Sequence, residues 1–239
     1  VIRLQRRYVG SAIGALWSLL HPLATTLILI VVFSNFLRVP ISNYALYLVA
    51  GAIPWGFISS GLTTASQSLI SRREVLQSSL VSPALFVLAD VFAEFITFVV
   101  AYVVLLILAA LIFHPPDPII ALLPLTLLPL VTFTFAAAIP IAYLAVRFRD
   151  IPHILQIFFA MMFWLVPIVY SPDMVPEAYR TYIVYNPFSL LIQPPVILAH
   201  GGILPSMRLL GGGLAVGLVT IIIAWVAHRR LGRSVIYYL

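Results

Sequence analysis

Six stretches of this sequence, residues 16–37, 44–70, 84–113, 119–146, 151–170 and 209–227, are apolar over about 20 residues or more. A helix of that length crosses roughly 30 Å of hydrocarbon. The rest of the chain cannot compensate with polar surface: 63% of the 239 residues are hydrophobic and only 8% charged, where soluble domains carry roughly 25% charged residues. The expected fold class is therefore an all-α integral membrane protein with six transmembrane helices. Two spans are less regular than the others. The 44–70 stretch ends in Ser, Thr and Gln, and the 119–146 stretch carries Pro124, Pro129 and Pro140, which predict kinks.

The charges orient these spans. All thirteen basic residues are arginine. With the N-terminus inside, the inner segments hold Arg3, Arg6, Arg7, Arg72, Arg73, Arg147, Arg149, Arg229, Arg230 and Arg233, whereas the outer ones hold Arg38, Arg180 and Arg208. Ten against three, with short loops, predicts both termini on the cytoplasmic side. The pI near 9.9 thus reflects sidedness rather than nucleic acid.

The same composition excludes several chemistries. Without lysine there is no G-x-x-x-x-G-K-[ST] phosphate loop and no Schiff-base lysine. Without cysteine there is no disulfide, thiol nucleophile or thiolate metal site. The five histidines, His21, His114, His153, His200 and His228, fall in different segments and form no H-E-x-x-H spacing. The longest loop, 171–208, leaves no room for a soluble catalytic or nucleotide-binding domain. No catalytic, cofactor or metal site is expected in this chain. It opens at Val1 without a signal-peptide pattern, and native residues are expected before it.

Three segments are not simple spans. Residues 1–15 place Ile2, Val9, Ile13 and Leu16 on one helical side and Arg3, Arg7, Gly10 and Gly14 on another, with Arg6 spoiling the separation. Both an interfacial helix on the inner leaflet and a plain positive flank fit this pattern. The inner loop 71–82, SRREVLQSSLVS, combines Arg72 and Arg73, one acid and the apolar points Val75, Leu76 and Leu80. It is either a short helix offered to a cytoplasmic partner or an orienting charge pair. In the outer loop, Ser171-Pro172-Asp173 and Asn186-Pro187-Phe188 each place a capping residue before a proline, predicting two short helices. The run after Asn186 is too short to span, and is read either as a re-entrant piece or as a loop resting on the bilayer.

Asp90 and Glu94 stand inside the third span at an i, i+4 spacing, on one face. Acids at that depth must face protein or water. A proton or cation relay, a hydrogen bond to polar cargo, a network with Ser, Thr or Arg of other spans, and simple proximity to the cytoplasmic headgroups all satisfy this demand. Aromatic rings gather toward the outer half, with Tyr44, Tyr47, Trp55, Phe57, Phe163, Trp164, Tyr170, Tyr182 and Tyr185. Interfacial belts, core packing and a stacking path for sugars are all compatible with them. Gly213-x-x-x-Gly217 is a small-xxx-small spacing that permits close helix contact.

Beyond these physical features, the chain resembles a family. RYVGSAIGALWSLLHPL is similar to the R-Y-x-x-S-x-L-G-x-x-W-x-x-L-x-P opening of ABC-2-type permeases that export polysaccharides, through Arg7, Tyr8, Ser11, Gly14, Trp17 and Pro22, with Ile13 in place of leucine. Gly51, Pro54, Trp55 and Phe57 match its G-x-x-P-W-x-F core. Arg149-Asp150, Trp164, Pro167, Ile168, Tyr170, Pro176 and Asn186-Pro187 resemble its fifth span and the outer segment after that span. The chain departs from the pattern at Gln193-Pro194-Pro195, where many relatives carry an acid and then arginine.

The resemblance implies a single transmembrane domain over 1–239, belonging to O-antigen, teichoic acid or capsular polysaccharide exporters of the bacterial cytoplasmic membrane. Two copies would form a homodimer with a channel between them, above two copies of a separate ATPase that binds ATP and magnesium. The cargo would be a lipid-linked glycan moved outward. Ser71, Arg72, Arg73, Glu74 and Leu76 would couple to the ATPase. Tyr47, Trp55, Phe57, Phe163, Trp164 and Tyr170 would line the cargo path, and Arg3, Arg7, Tyr8 and Trp17 would form an interfacial gate. The loop 171–208 would be the outer gate. An ABC-2 permease for a drug, lipid or other non-glycan cargo is the alternative. A proton-driven carrier using Asp90 and Glu94 is disfavoured, since six spans show no internal repeat.

Overall fold

The computed structural model describes residues 40–78, 81–112 and 118–232, with isolated positions at 28, 31, 32 and 235. The first expected span, 16–37, lies almost entirely outside them, as do the interfacial segment 1–15 and Arg3, Arg7, Tyr8 and Trp17. The described residues form an all-helical bundle. Helix α1 is Tyr44–Ser68, followed by a 3-10 turn, Ile70–Arg72, and the short α2, Arg73–Ser78. Next come α3, Pro83–Ile112, and α4, Leu123–Arg147, which a 3-10 turn at Pro118–Leu122 introduces. Helix α5 is Ile151–Leu165; α6, Glu177–Val184; α7, Pro187–Gly201; and α8, Met207–Leu231.

Four of these are long and apolar enough to cross a membrane: α1, α3, α4 with its preceding turn, and α8. A fifth crossing results if α6 and α7, bent by 87° at their junction, count as one broken span. Helix α1 is the most enclosed of the four long ones, packed by α3, α4, α5 and α7.

In the 151–170 stretch the structure corrects the expected extent of the fifth span's helix, because α5 stops at Leu165 after 15 residues. At 1.5 Å per residue that is about 22 Å, short of a full crossing. The cause is Pro167, whose ring disfavours helical geometry in the residue before it. Val166 accordingly turns extended, at φ −99° and ψ 134°.

The unwound stretch survives because it is buried in protein and its carbonyls find donors. Val166, Ile168 and Val169 are at most 1% exposed. Tyr44 Oη donates to Val169 O at 3.0 Å, and Gln193 Nε2 donates to Pro167 O at 2.7 Å. Tyr47 Oη lies 2.9 Å from Pro167 O and 2.8 Å from Tyr170 O, sharing one proton between them.

The outer-loop caps form as the sequence predicts. Ser171 Oγ accepts from Asp173 N at the start of a three-residue 3-10 turn, and Asn186 Oδ1 accepts from Phe188 N at the start of α7. Helix α7 does not rest on a surface. Leu190 to Val196 are all buried, against α1, α4 and α8. Its Pro195 carbonyl sits 3.5 Å from Tyr102 Oη of α3.

Helices α4 and α8 run parallel in close contact. A Cβ at Gly213 would lie 2.9 Å from Leu190 O and 3.4 Å from Pro129 Cβ, and one at Gly217 would lie 2.9 Å from Thr132 Oγ1. The small-xxx-small spacing is therefore a real approach of backbones. Further along, Tyr143 Oη of α4 and His228 Nδ1 of α8 are 2.8 Å apart.

Combining Tyr47→Phe with Gln193→Leu strips Pro167 O of both donors. An orphaned buried carbonyl costs about 2 kcal/mol, so the double variant should unfold at a clearly lower temperature in detergent. Thermal unfolding of both singles and the double checks this, and the double should exceed the sum of the singles.

Candidate functional site: the arginine end and the aromatic core

Chain polarity brings three pairs of arginines to one end of the bundle. Helix α3 runs antiparallel to α1, since Phe98 stacks on Phe57, Glu94 meets Ser60 and Thr64, and Asp90 meets Arg72. Helix α5 is also antiparallel to α1, with Phe159 and Phe163 on Trp55 and Pro167 at Tyr47. Only residues 148–150 separate the end of α4 from the start of α5, and His228 ties the end of α8 to Tyr143 of α4. Arg72 and Arg73, Arg147 and Arg149, and Arg229 and Arg230 therefore share one end. Arg229 stacks over the Trp225 ring with 4.3 Å between guanidinium carbon and ring centre.

At that end α1 tightens into the Ile70–Arg72 turn and continues as α2. The basic pair of the loop splits. Arg72 turns inward, its side chain only 16% exposed, while Arg73, Glu74 and Val75 face outward. Ser71 is exposed, with its hydroxyl 3.2 Å from Ser68 O, and Leu76 is 1% exposed in the core. Of the five expected coupling residues, Ser71, Arg73 and Glu74 lie on the surface, and Arg72 and Leu76 anchor the segment beneath it.

The two acids of α3 are held by α1 and the turn that follows it. The Arg72 guanidinium forks onto the Asp90 carboxylate, its Nη1 also donating to Ser68 Oγ at 2.8 Å. The same guanidinium lies 5.7 Å from the Phe86 ring centre, one turn before Asp90. Glu94 accepts from Thr64 Oγ1 at 3.3 Å and from Ser60 Oγ at 3.1 Å, the latter hydroxyl also lying 2.6 Å from Gly56 O. This is the network with Ser, Thr and Arg of a neighbouring span that the sequence left open beside relay and cargo contact.

The six rings expected to line a path divide. Trp55 is 7% exposed and packs edge-on against Phe159 and Phe188. Phe57 stacks on Phe98 at 4.8 Å, and Tyr47 holds the unwound stretch. These three lie in the interior of the helical bundle. Trp164 is 54% exposed, with the half-buried Phe163 edge-on beside it and Tyr170 Oη donating to its carbonyl at 3.1 Å. Gln193 is the residue that sequence reasoning passed over. Its signal was a lone amide in an apolar run, which must find a partner once buried.

Comparison with known proteins places this arrangement. The model of the ABC-2 type transporter family matches residues 2–194. The chain belongs to that family. Among relatives, an O-antigen export system permease protein RfbA of Klebsiella pneumoniae is 31% identical over 192 residues, covering 79% of this chain and 73% of the relative. A second RfbA of that organism is 30% identical over the same share. The Myxococcus xanthus RfbA is 25% identical over 226 residues, 94% of this chain and 86% of its own length. As an ABC-2 family member with several spanning helices, the chain is a multi-pass protein of the inner membrane.

The division of the rings makes opposite demands on two tryptophans. Trp55→Ala empties a packed site and should cost about 3 kcal/mol of stability. Trp164→Ala, which leaves no buried void, should unfold within about 0.5 kcal/mol of the parent. Thermal unfolding of the purified permease measures both.

Proposed function

We propose that this chain is the permease subunit of an ATP-driven exporter that moves a lipid-linked polysaccharide, O-antigen-like or teichoic-acid-like, outward across the cytoplasmic membrane. The observation that carries this is the match over most of the chain to relatives named O-antigen export permeases. Architecture alone would not distinguish a glycan from a drug or lipid.

In this reading the whole of 1–239 is one transmembrane domain of six spans with both termini inside. The clustering of three arginine pairs at one end supports that orientation, because that end would face the cytoplasm. The spans are then 16–37, α1, α3, α4, α5 with its unwound continuation, and α8. Residues 171–208, with α6 and α7, form the outer gate.

Energy comes from a second protein, since a chain without lysine has no phosphate loop of its own. A separate ATPase subunit binds ATP and magnesium and docks at the arginine end, where Ser71, Arg73, Glu74 and Val75 offer an exposed, charged and partly apolar face. Two copies of the permease pair with two of the ATPase. Helix α5 exposes Ile154, Ile157, Met161 and Trp164, and the cargo path runs along the face that carries Phe163, Trp164 and Tyr170. Tyr47 and Trp55 back that face, while Phe57 packs against α3 and α4. The segment 1–15, with Arg3, Arg7, Tyr8 and Trp17, acts as an interfacial gate.

Arg73→Glu tests the docking face without touching the inward Arg72. It should lower recovery of the ATPase with the purified permease by about tenfold, and surface polysaccharide should fall with it. Wild-type recovery and display would reject this face as the dock. Unchanged surface polysaccharide after deletion of the permease gene would reject the glycan cargo.

A further inference from the structure

Helix α2 is tied to the bundle through Leu76 and, at its root, through Arg72. Leu76 is buried at 1% exposure, but an apolar contact is non-directional and holds depth rather than angle. Arg72, at the root of α2, is different. Its planar fork meets Asp90 with both terminal nitrogens, Ser68 takes a further hydrogen bond, and Phe86 lies beside the guanidinium. A bidentate guanidinium–carboxylate pair fixes orientation as well as distance.

The pair is also poorly explained by stability. At 16% and 12% exposure, both partners have lost most of their water, and a well-packed apolar pair in such a place is often as stable or more so. What the ion pair adds is a stiff, directional link between the start of α2 and the start of α3. One turn along α3, Glu94 takes the Ser60 and Thr64 hydroxyls, and beyond it Phe98 stacks on Phe57. The two spans are thus joined at three successive levels, beginning at the root of α2.

We propose that the Arg72–Asp90 ion pair is the joint that transmits movement of α2 to α3. Arg72 and Asp90 act as positioning residues, and Glu94 carries the same displacement back to α1 so that α1 and α3 move together. This rests on the exporter reading, in which the ATPase displaces α2. Without the joint, movement of α2 would no longer reach α3, and hydrolysis would continue without moving the spans.

The test uses the complete permease–ATPase complex in proteoliposomes, with a cysteine-free ATPase. Because the permease has no cysteine, Val104→Cys, which is 47% exposed on α3, carries a single spin label. In the parent complex the label's spectrum should change between the ATP-free and ATP-hydrolysing states. Asp90→Asn keeps shape but loses charge. It should retain ATPase binding and hydrolysis while the spectral change falls about tenfold. The exchange Arg72→Asp with Asp90→Arg should restore most of the change. If Asp90→Asn does not yield a monodisperse permease, Arg72→Lys makes the same comparison, keeping charge and losing the fork.

A full spectral change in Asp90→Asn, a label that does not respond to ATP in the parent, or loss of the ATPase from the variant complex would each overturn the proposal. A label that moves in a complex exporting no polysaccharide would instead overturn the cargo reading and leave the joint standing.

Discussion

A peptide that leaves the helix inside a membrane protein must find donors for its carbonyls, and the stretch from Val166 to Tyr170 meets that demand with three side chains. Tyr44 and Tyr47 reach it from the start of α1, and Gln193 from the middle of α7. Val166, Ile168 and Val169 are enclosed by protein, so these donors must come from side chains. The contacts therefore set where α1 begins relative to the end of α5, and where α7 inserts. Ile168 pressing within 3.2 Å of the Cβ position at Gly51 shows how close that approach is. The aromatic group around Trp55, Phe159 and Phe188 sits just below and fills the space left between the same three elements.

The opposite end is organised by charge. Arg72 is drawn in by Asp90, while Arg73, Arg147, Arg149, Arg229 and Arg230 remain on or near the surface. One arginine of the pair is thus built into the packing while its neighbour stays exposed.

The long apolar helices were legible in the sequence, since continuous hydrophobicity over twenty residues has few other outcomes. The bounds of α1, α3 and α4 lie within two residues of the apolar stretches at one or both ends. The caps at Ser171 and Asn186 were legible too, because an N-cap followed by proline is a local instruction. What could not be read was set by partners far along the chain. Pro167 stood, unremarked as a break, inside a stretch read as a span, and the hydroxyls that make the break there tolerable come from residues 120 or more positions away. Gln193 looked like a departure from a motif until the carbonyl it serves was in view. Arg72 and Arg73 are indistinguishable as letters, and only the helical phase against α3 separates them. Trp55 and Trp164 both sit within apolar runs, yet one is enclosed and the other faces out.

The pairing of α8 with α4 has a mechanical consequence. Gly213 and Gly217 let the two backbones touch, and the Tyr143–His228 contact pins them again near the other end. Sliding or rolling one past the other would drive side chains into backbone at the glycines, so the two behave as a single beam. A shift of either helix must therefore carry the other with it.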